Sequence, residues 1–175
     1  EPGGIIAVDV VGTNHGSVQG GAAVANPAKV LSGRAFDGSS GHILVPDAAA
    51  IDPGAGDFSV DAWIQPRAVD GRRPIVSKMY APADAPWGWL FALEGGRLSL
   101  TVNNEGSSLT GTAPTAMTVD GQWHLVAATV QRGSAAGGRL DIDGALVHTF
   151  DTTPLVGPVD TAAELGLAGV NALGR

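Results

Sequence analysis

Every second residue from Phe58 to Ile64, within residues 57–66, is apolar, which is the pattern of a β-strand that buries one face. Residues 122–132 form a second apolar segment, and here both faces are apolar. This pattern predicts a central strand that is covered on both sides. We expect the two strands to supply much of a buried core. The predicted core positions are Phe58, Val60, Ile64, Trp123, Val126 and Val130.

Shorter apolar runs, broken by Gly, Pro, Asp and Asn, follow at the spacing typical of all-β sandwiches and barrels. Asp143-Gly144 is the sequence of a type I′ hairpin turn, and residues 94–96 predict a second hairpin loop. Residues 20–29 are rich in alanine, but glycines and Pro27 bracket them, so they are interpreted as a loop with a short strand. Further strands are predicted at 42–46, 72–78, 88–93, 97–103, 139–142, 145–150 and 165–168.

The composition narrows the class of protein. A length of 175 residues, 44% of them hydrophobic, suits one domain with a real core, predicted to span 1–175. The absence of cysteine excludes disulfides and thiolate zinc sites. A formal net charge of −7 argues against a nucleic-acid-binding surface. No window approaches the apolar length of a transmembrane helix, so no membrane insertion is expected.

Five short motifs occur along the chain. They are DVVGTNHG at 9–16, AFDG at 35–38, DFSVDAWIQP at 57–66, QWHLVA at 122–127 and the hairpin turn at 143–144. In this order and at these spacings they resemble the bacterial laminin-G-like domains of the concanavalin A-like lectin/glucanase superfamily. The resemblance implies an all-β, two-sheet antiparallel jelly-roll sandwich. It also implies a module of a secreted or cell-surface protein, in a family where binding of carbohydrate and of calcium is common.

The chain departs from the family pattern in two places. After the Phe-Asp-Gly motif the family often has an acidic pair and an aromatic residue, where this chain has Ser40, Gly41 and His42. The family also usually ends with a Gly-x-Ile-Asp-Glu-Val strand, and this sequence stops at Arg175, where that strand would begin. We therefore expect a jelly roll without its last strand, and either a longer natural chain or a neighbour that supplies the strand.

The first loop suggests a calcium (Ca2+) site. Calcium binds six to eight oxygen atoms from carboxylates, amides and backbone carbonyls. Asp9 supplies a carboxylate, Asn14 an amide oxygen, and Gly12 a bend that turns carbonyls inward. The resemblance places this loop near Asp37, which adds a second carboxylate. The alternative is that Asp9 and Asn14 are turn residues that bond their own backbone.

Aromatic side chains give the candidate ligand site, because a flat ring stacks on the C–H face of a pyranose while polar groups bind its hydroxyls. Tyr80, Trp87 and Trp89 border a loop rich in Pro and Ala. The candidate polar partners are Arg97, Asn103, Asn104 and Glu105. It remains open whether Trp89 belongs to the core instead, and whether Trp87 merely covers a sheet edge.

Three further residues receive a structural interpretation. Trp63 and Trp123 lie inside the two strongest strands and are interpreted as packing residues. His124 follows Trp123 and is interpreted as a hydrogen-bonded core histidine. No spacing of histidines suggests a zinc site.

The acidic residues argue against an enzyme. Superfamily glucanases use paired carboxylates on one strand, and the Glu-x-Asp-x-x-Glu pattern does not occur here. Asp57 and Asp61 share a strand face, but no third acid follows them. The leading hypothesis is a non-catalytic carbohydrate-binding module with a structural calcium, which binds a polysaccharide or glycan beside other domains of a larger protein. A structural or adhesive protein-interaction domain is the alternative, and a glycoside hydrolase is disfavoured.

Overall fold

A computed structural model describes residues 6–30, 32–80 and 86–169. Within these ranges the chain forms strands and one short 3₁₀ helix, Ala49–Ile51, so the predicted all-β class is confirmed. The strands are β1 (Ile6–Ala7), β2 (Gly16–Gln19), β3 (Ala23–Ala25), β4 (Gly33–Ala35), β5 (His42–Val45), β6 (Phe58–Ile64), β7 (Arg72–Tyr80), β8 (Trp87–Glu94), β9 (Arg97–Asn104), β10 (Ser107–Thr112), β11 (His124–Val130), β12 (Gly138–Ile142), β13 (Ala145–Phe150) and β14 (Leu165–Leu167). The strand expected beyond Arg175 lies outside the described residues. No helix in the described ranges is both long and apolar enough to cross a membrane.

The strands form two main sheets. The larger has eight strands in the order β1-β2-β5-β14-β7-β8-β9-β10, and the smaller has four in the order β13-β12-β11-β6. Neighbouring strands in both sheets are antiparallel. Strands β3 and β4 form a separate antiparallel hairpin. One apolar core joins side chains of both main sheets, which is the sandwich that the resemblance implied.

The core is densest where β8 and β9 face β11 and β12. Its fully buried apolar side chains are Phe91, Leu98, Leu100, Val102, Val126, Val130 and Leu140, with Val159 from a loop. Of the six core positions predicted from sequence, Val126 and Val130 are fully buried. Phe58, Val60 and Ile64 are partly buried and pack against the core, as the alternation of β6 predicts. Trp123 is only partly buried and lies outside the core cluster.

Both predicted hairpins are present. Asp143 and Gly144 join β12 to β13 with φ angles of 52° and 80°, the two positive values that a type I′ turn requires. The second hairpin joins β8 to β9, with Glu94 opposite Arg97. Strand β10 was not predicted from sequence, because Leu109 is its one large apolar residue. It is the outer strand of the large sheet, where fewer side chains need to be buried.

One border of the sandwich is closed by Phe150, whose ring fills the space that two glycines leave open. A Cβ on Gly111, in β10, would lie 2.0 Å from the Phe150 ring. A Cβ on Gly138, in β12, would lie 2.4 Å from the same ring. Both positions are therefore closed to any side chain unless the ring moves.

Lys78, in β7, is fully buried although it carries a charge. Its Nζ donates to Asp47 Oδ1 at 2.5 Å and to the carbonyl oxygens of Thr161 and Ala163 at 2.7 and 3.0 Å. Asp52 Oδ1 lies 3.0 Å from the same nitrogen, as an ion pair without hydrogen-bond geometry. Four oxygen atoms thus surround the ammonium, and they tie β7 to the segments that precede β6 and β14.

Candidate functional site

A groove of about 330 Å³ runs along β6, the outer strand of the small sheet. Its other walls come from residues within 28–30 and 32–36, which include β4, and from β5, β7 and β14 of the large sheet. We call it the tryptophan groove after its two indole rings. Its aromatic and polar lining consists of Lys29, Ser32, Arg34, Phe36, Trp63 and Trp123. Aliphatic side chains form the remainder of the lining, which is the usual make-up of a small-molecule site.

The strand pattern explains why Trp63 reaches the groove. The apolar positions of β6 face the core, so Trp63 falls on the opposite, polar face with Ser59 and Asp61. Its side chain is 40% exposed. Trp63 lies opposite Leu125 in the β6–β11 register, and Trp123 comes two residues before Leu125. Both rings line the same groove.

The interpretation of Trp63 and Trp123 as packing residues is therefore wrong for Trp63 and incomplete for Trp123. Trp63 belongs to the face of β6 that carries Ser59, Asp61 and Gln65. That polar surrounding was the sequence signal for an exposed ring. Trp123 is partly buried, and its ring comes within 3.7 Å of the position that a Cβ of Gly33 would occupy. It thus joins β4 to the small sheet while it lines the groove.

Two positively charged side chains, Lys29 and Arg34, line the groove. Lys29 Nζ lies 4.6 Å from the centre of the Trp63 ring, within the range of a cation–π contact. Arg34, in β4, has a buried Nη1 with no hydrogen-bond partner among the described residues. A buried donor without a partner costs free energy, and an acceptor in the groove would remove that cost if the guanidinium turned Nη1 toward it.

The groove is positively charged within an acidic chain. Among the residues that the structure describes, no aspartate or glutamate lines it, and its charged lining residues are Lys29 and Arg34. The ion pairs found among the described residues involve neither of these two side chains. A second groove, of about 350 Å³, is lined by Ala113, Ile142 and Val147 among others, and it offers no charged or aromatic group.

The structure keeps Tyr80 and Trp87 together, and it places Trp89 in the core. Tyr80 is 43% exposed and lies opposite Trp87 in the β7–β8 register. Trp89 is 5% exposed, and its ring centre lies 5.8 Å from that of Phe58. Trp89 is therefore a core residue, and its assignment as a ligand contact is wrong. The loop 81–85, between Tyr80 and Trp87, lies outside the described residues.

Asn103 and Asn104 lie at the same end of the large sheet as Tyr80 and Trp87, because Asn103 is opposite Gly88, whereas Arg97 lies elsewhere. Asn103 is 6% exposed, and its Oδ1 accepts a hydrogen bond from Ser108. The amide nitrogen of Asn104 donates to the carbonyl oxygen of Val156, and its amide oxygen accepts the N–H of Gly106. Arg97 is at the opposite end of β9, about 20 Å from Asn103 at the rise of an extended strand.

Asp37, predicted as a calcium ligand, is saturated by its own turn. Its Oδ1 accepts the N–H groups of Ser39, Ser40 and Gly41, and its Oδ2 accepts the hydroxyls of Ser39 and Ser40. These bonds, that of Gly41 first, hold the pKa of Asp37 far below its usual range. A carboxylate has about four lone-pair sites, and five donors already use them. No site remains on Asp37 for a metal ion in this arrangement.

Asp9 also serves its own loop. It accepts N–H groups of Gly12, Val11 and Asn14, which lower the pKa of its carboxyl. The set Asp9, Gly12, Asn14 and Asp37 therefore does not fit a calcium ion as these residues are placed. In the described ranges no three His, Asp or Glu side chains gather at a point that could hold a metal. Calcium binding stays a prediction, and the proposed function below does not rely on it.

Removal of calcium tests the role of Asp37 directly. We expect Asp37→Ala to lower the melting temperature by the same amount in calcium and in chelator, because the lost bonds lie within the turn itself. The measurement is thermal unfolding of both proteins in each buffer. If instead calcium raises the melting temperature of the parent and not of the variant, the carboxylate is a metal ligand.

His124, which begins β11, lies between two carboxylates. Its Nδ1 is 2.7 Å from Asp143 Oδ2, and its Nε2 is 3.2 Å from Asp120 Oδ1. The pKa of His124 is raised above the ordinary 6.5, mainly by the hydrogen bond with Asp143. Partial burial lowers this pKa but does not outweigh the hydrogen bond. The predicted hydrogen bonding of this histidine is confirmed, although its ring sits at the start of the strand beside the hairpin turn.

The stability of the domain should fall as the pH rises through the raised pKa of His124. The protonated ring gains its partners only in the folded state, so its contribution is complete below pH 6.5 and is lost above the raised pKa. The melting temperatures of the parent and of His124→Gln, measured from mildly acidic to mildly alkaline pH, should therefore converge. A difference that stays constant across this range would mean that the ring bonds as a neutral group.

The fold and the groove define a jelly-roll domain with an aromatic, cationic cleft at its sheet edge. The chain belongs to the Laminin_G_3 family of the concanavalin A-like lectin/glucanases superfamily, whose model matches residues 37–172. This confirms the resemblance found in the sequence. No curated protein sequence shows a significant match.

Solved structures with the same fold include binding domains of bacterial toxins. The binding domain of Paraclostridial Mosquitocidal Protein 1 superposes with a TM-score of 0.74 at 16% identity, covering 94% of this chain and 44% of that one. The binding domain of Botulinum Neurotoxin DC in complex with SialylT gives 0.62 at 18% identity, covering 87% and 38%. The same domain in complex with rat synaptotagmin II gives 0.63 at 17% identity, covering 90% and 39%. The chain spans less than half of each of these domains, and the likeness establishes the fold.

Proposed function

We propose that this domain is a non-catalytic carbohydrate-binding module of a secreted or cell-surface protein, and that the tryptophan groove is its binding site. The observation that carries the proposal is the meeting of Trp63, Trp123, Lys29 and Arg34 in one cleft. An exposed indole offers the flat apolar surface that the C–H face of a sugar ring needs. The two cations supply donors for sugar oxygen atoms.

The comparisons support a binding role by analogy of fold. Of the toxin domains, one is described with the glycan SialylT and one with the protein synaptotagmin II. Both statements concern those proteins, and a shared fold does not carry a ligand with it. The assignment to a saccharide here rests on the chemistry of the groove.

Some acidic residues have a spacing like that of the catalytic carboxylates of a glycosidase, but they are hydrogen-bonded to other groups, which supports a non-catalytic role. Asp57 accepts the N–H of Arg132. Asp143, which is two residues after Asp141 and so forms the other candidate pair on a strand, is engaged by His124 and by the N–H of Leu125. A general acid and a nucleophile would need to face one open cleft.

A protein-interaction domain is the second candidate function. It is favoured by the exposed apolar tip of the first loop, where Val10 and Val11 are 90% and 97% exposed. Exposed apolar side chains that cluster often mark contacts with other proteins or domains. This loop lies apart from the residues that line the groove.

A glycan array tests the proposal, with two variants that separate the candidate sites. Trp63→Ala removes the exposed ring of the groove, and Tyr80→Ala removes a comparably exposed ring at the other end of β7. We expect the parent and Tyr80→Ala to bind the same glycans, and Trp63→Ala to lose at least about tenfold in affinity, the scale of a lost stacking contact. Loss in Tyr80→Ala alone would move the site to the end of β7. Absence of binding by the folded parent to any glycan would favour the protein-interaction domain.

A further inference from the structure

We infer that the tryptophan groove selects acidic saccharides, in which a carboxylate or another anionic group is attached to the sugar ring. This inference rests on the proposed function and names the class of ligand for the same site. Its starting point is the charge of the lining: within the described ranges, Lys29 and Arg34 line the groove and no acidic side chain does. In a chain of net charge −7, two cations without an acid beside them form a local field that favours an anion.

Arg34 carries the strongest part of the argument. Its Nη1 is buried, and no described residue accepts a hydrogen bond from it. A guanidinium binds a carboxylate through two parallel hydrogen bonds, and such charge-assisted bonds are about twice as strong as neutral ones. A neutral hydroxyl would satisfy one donor and leave the charge uncompensated. An anionic oxygen therefore gains more at this position than a hydroxyl does.

Lys29 adds a second positive charge at the rim. Its ammonium lies over the exposed ring of Trp63 and forms no ion pair with a described acid. Arg72, Arg73 and Lys78, by contrast, each have a carboxylate partner. The long side chain of Lys29 is exposed, so its ammonium can stay near the ring and still approach a bound anion.

The two indole rings decide what kind of anion fits. A free inorganic anion has no apolar surface to place against Trp63 and Trp123, whereas an acidic sugar has both a C–H face and a charge. The groove volume of about 330 Å³ is at the lower end of the range for small-ligand sites, enough for one or two sugar rings. The combination of stacking surface and cationic donors thus points to an acidic saccharide unit.

Paired glycans provide the test. Each acidic glycan is immobilised beside its uncharged counterpart: oligogalacturonate beside its methyl ester, sialyllactose beside lactose, and 6-sulfated beside unsulfated N-acetyllactosamine. The proteins are the parent, Arg34→Gln, Arg34→Lys, Lys29→Gln and, as the control cation at the far end of β9, Arg97→Gln. Thermal unfolding of each variant confirms that it is folded. The pairs also distinguish a carboxylate from a sulfate as the recognised group.

We expect the parent and Arg97→Gln to bind the acidic member of at least one pair, and its neutral counterpart at least about tenfold more weakly. Arg34→Gln should lose this preference, Arg34→Lys should keep part of it, and added salt should weaken it. Equal binding of acidic and neutral members, or an unchanged preference in both Arg34 variants, overturns the inference and leaves the proposed function intact. Absence of binding to every glycan overturns both.

Discussion

Replacing Lys78 with methionine is expected to lower the free energy of unfolding by about 3 kcal/mol or more. The ammonium is fully buried and contacts Asp47, Asp52 and two backbone carbonyl oxygens. Methionine keeps much of the volume and removes the charge, so two carboxylates and two carbonyls lose their shared donor. Breaking the contact from one side is costly because the carbonyl oxygens and Asp52, which is 22% exposed, are left without a donor, while Asp47, at 39%, can turn partly to water.

Chemical unfolding of the parent and of Lys78→Met measures this effect. Lys29→Met is the matched control, because it makes the same chemical change at an exposed position whose contact is a cation–π pair. We expect the control to lose less than about 1 kcal/mol. Equal losses in the two variants would mean that the oxygen atoms around Lys78 find water when the ammonium is absent.

Phe91→Ala is expected to cost about 3–5 kcal/mol, because the side chain is completely buried where the two sheets meet. Phe91 lies in β8 between Val76 of β7 and Leu100 of β9, in the middle of the large sheet. The substitution leaves a cavity that neighbouring strands cannot close without losing their hydrogen bonds.

The measurement is urea unfolding of the parent, of Phe91→Ala and of Phe91→Leu. The leucine variant keeps most of the volume and should lose far less than the alanine variant. A midpoint for Phe91→Ala close to that of the parent would show that β8 does not lie at the centre of the sandwich.

Much of the fold could be predicted because its signals are local. The period-two alternation of β6 fixes which of its side chains face the core, and Phe58, Val60 and Ile64 do so. The Asp143-Gly144 turn depends on two adjacent residues and is formed as expected. Strand β10 carries too few apolar side chains for such a signal, and it is held by its pairing with β9.

The site could be predicted only in part because it is assembled from distant segments. Arg34 and Lys29 come from the β3–β4 region, Trp63 from β6 and Trp123 from the start of β11. No spacing in the sequence places these residues side by side; the hairpin β3–β4 brings them together. Proximity in sequence was misleading for Arg97, which is at the wrong end of β9.

Hydrogen-bond donors within the turn occupy the Asp37 carboxylate that was predicted to bind calcium. The residues after Asp37 are Gly38, Ser39 and Ser40, and the backbone and hydroxyl donors of this turn occupy the carboxylate. The sequence does contain Ser39 and Ser40 directly after Asp37-Gly38. Their hydroxyl and N–H donors indicated that the carboxylate would accept hydrogen bonds within its own turn.

The most direct test of the tryptophan groove as the binding site uses the indole N–H signals of the four tryptophans. The chain carries one signal each from Trp63, Trp87, Trp89 and Trp123, and single tryptophan-to-phenylalanine variants assign them. The glycan with the strongest array signal is titrated into ¹⁵N-labelled protein, and the four indole shifts are followed. We predict concentration-dependent shifts of Trp63 and Trp123, with Trp87 and Trp89 unchanged. A shift of Trp87 with Trp63 and Trp123 unchanged would contradict the account and place the ligand at the far end of β7 and β8.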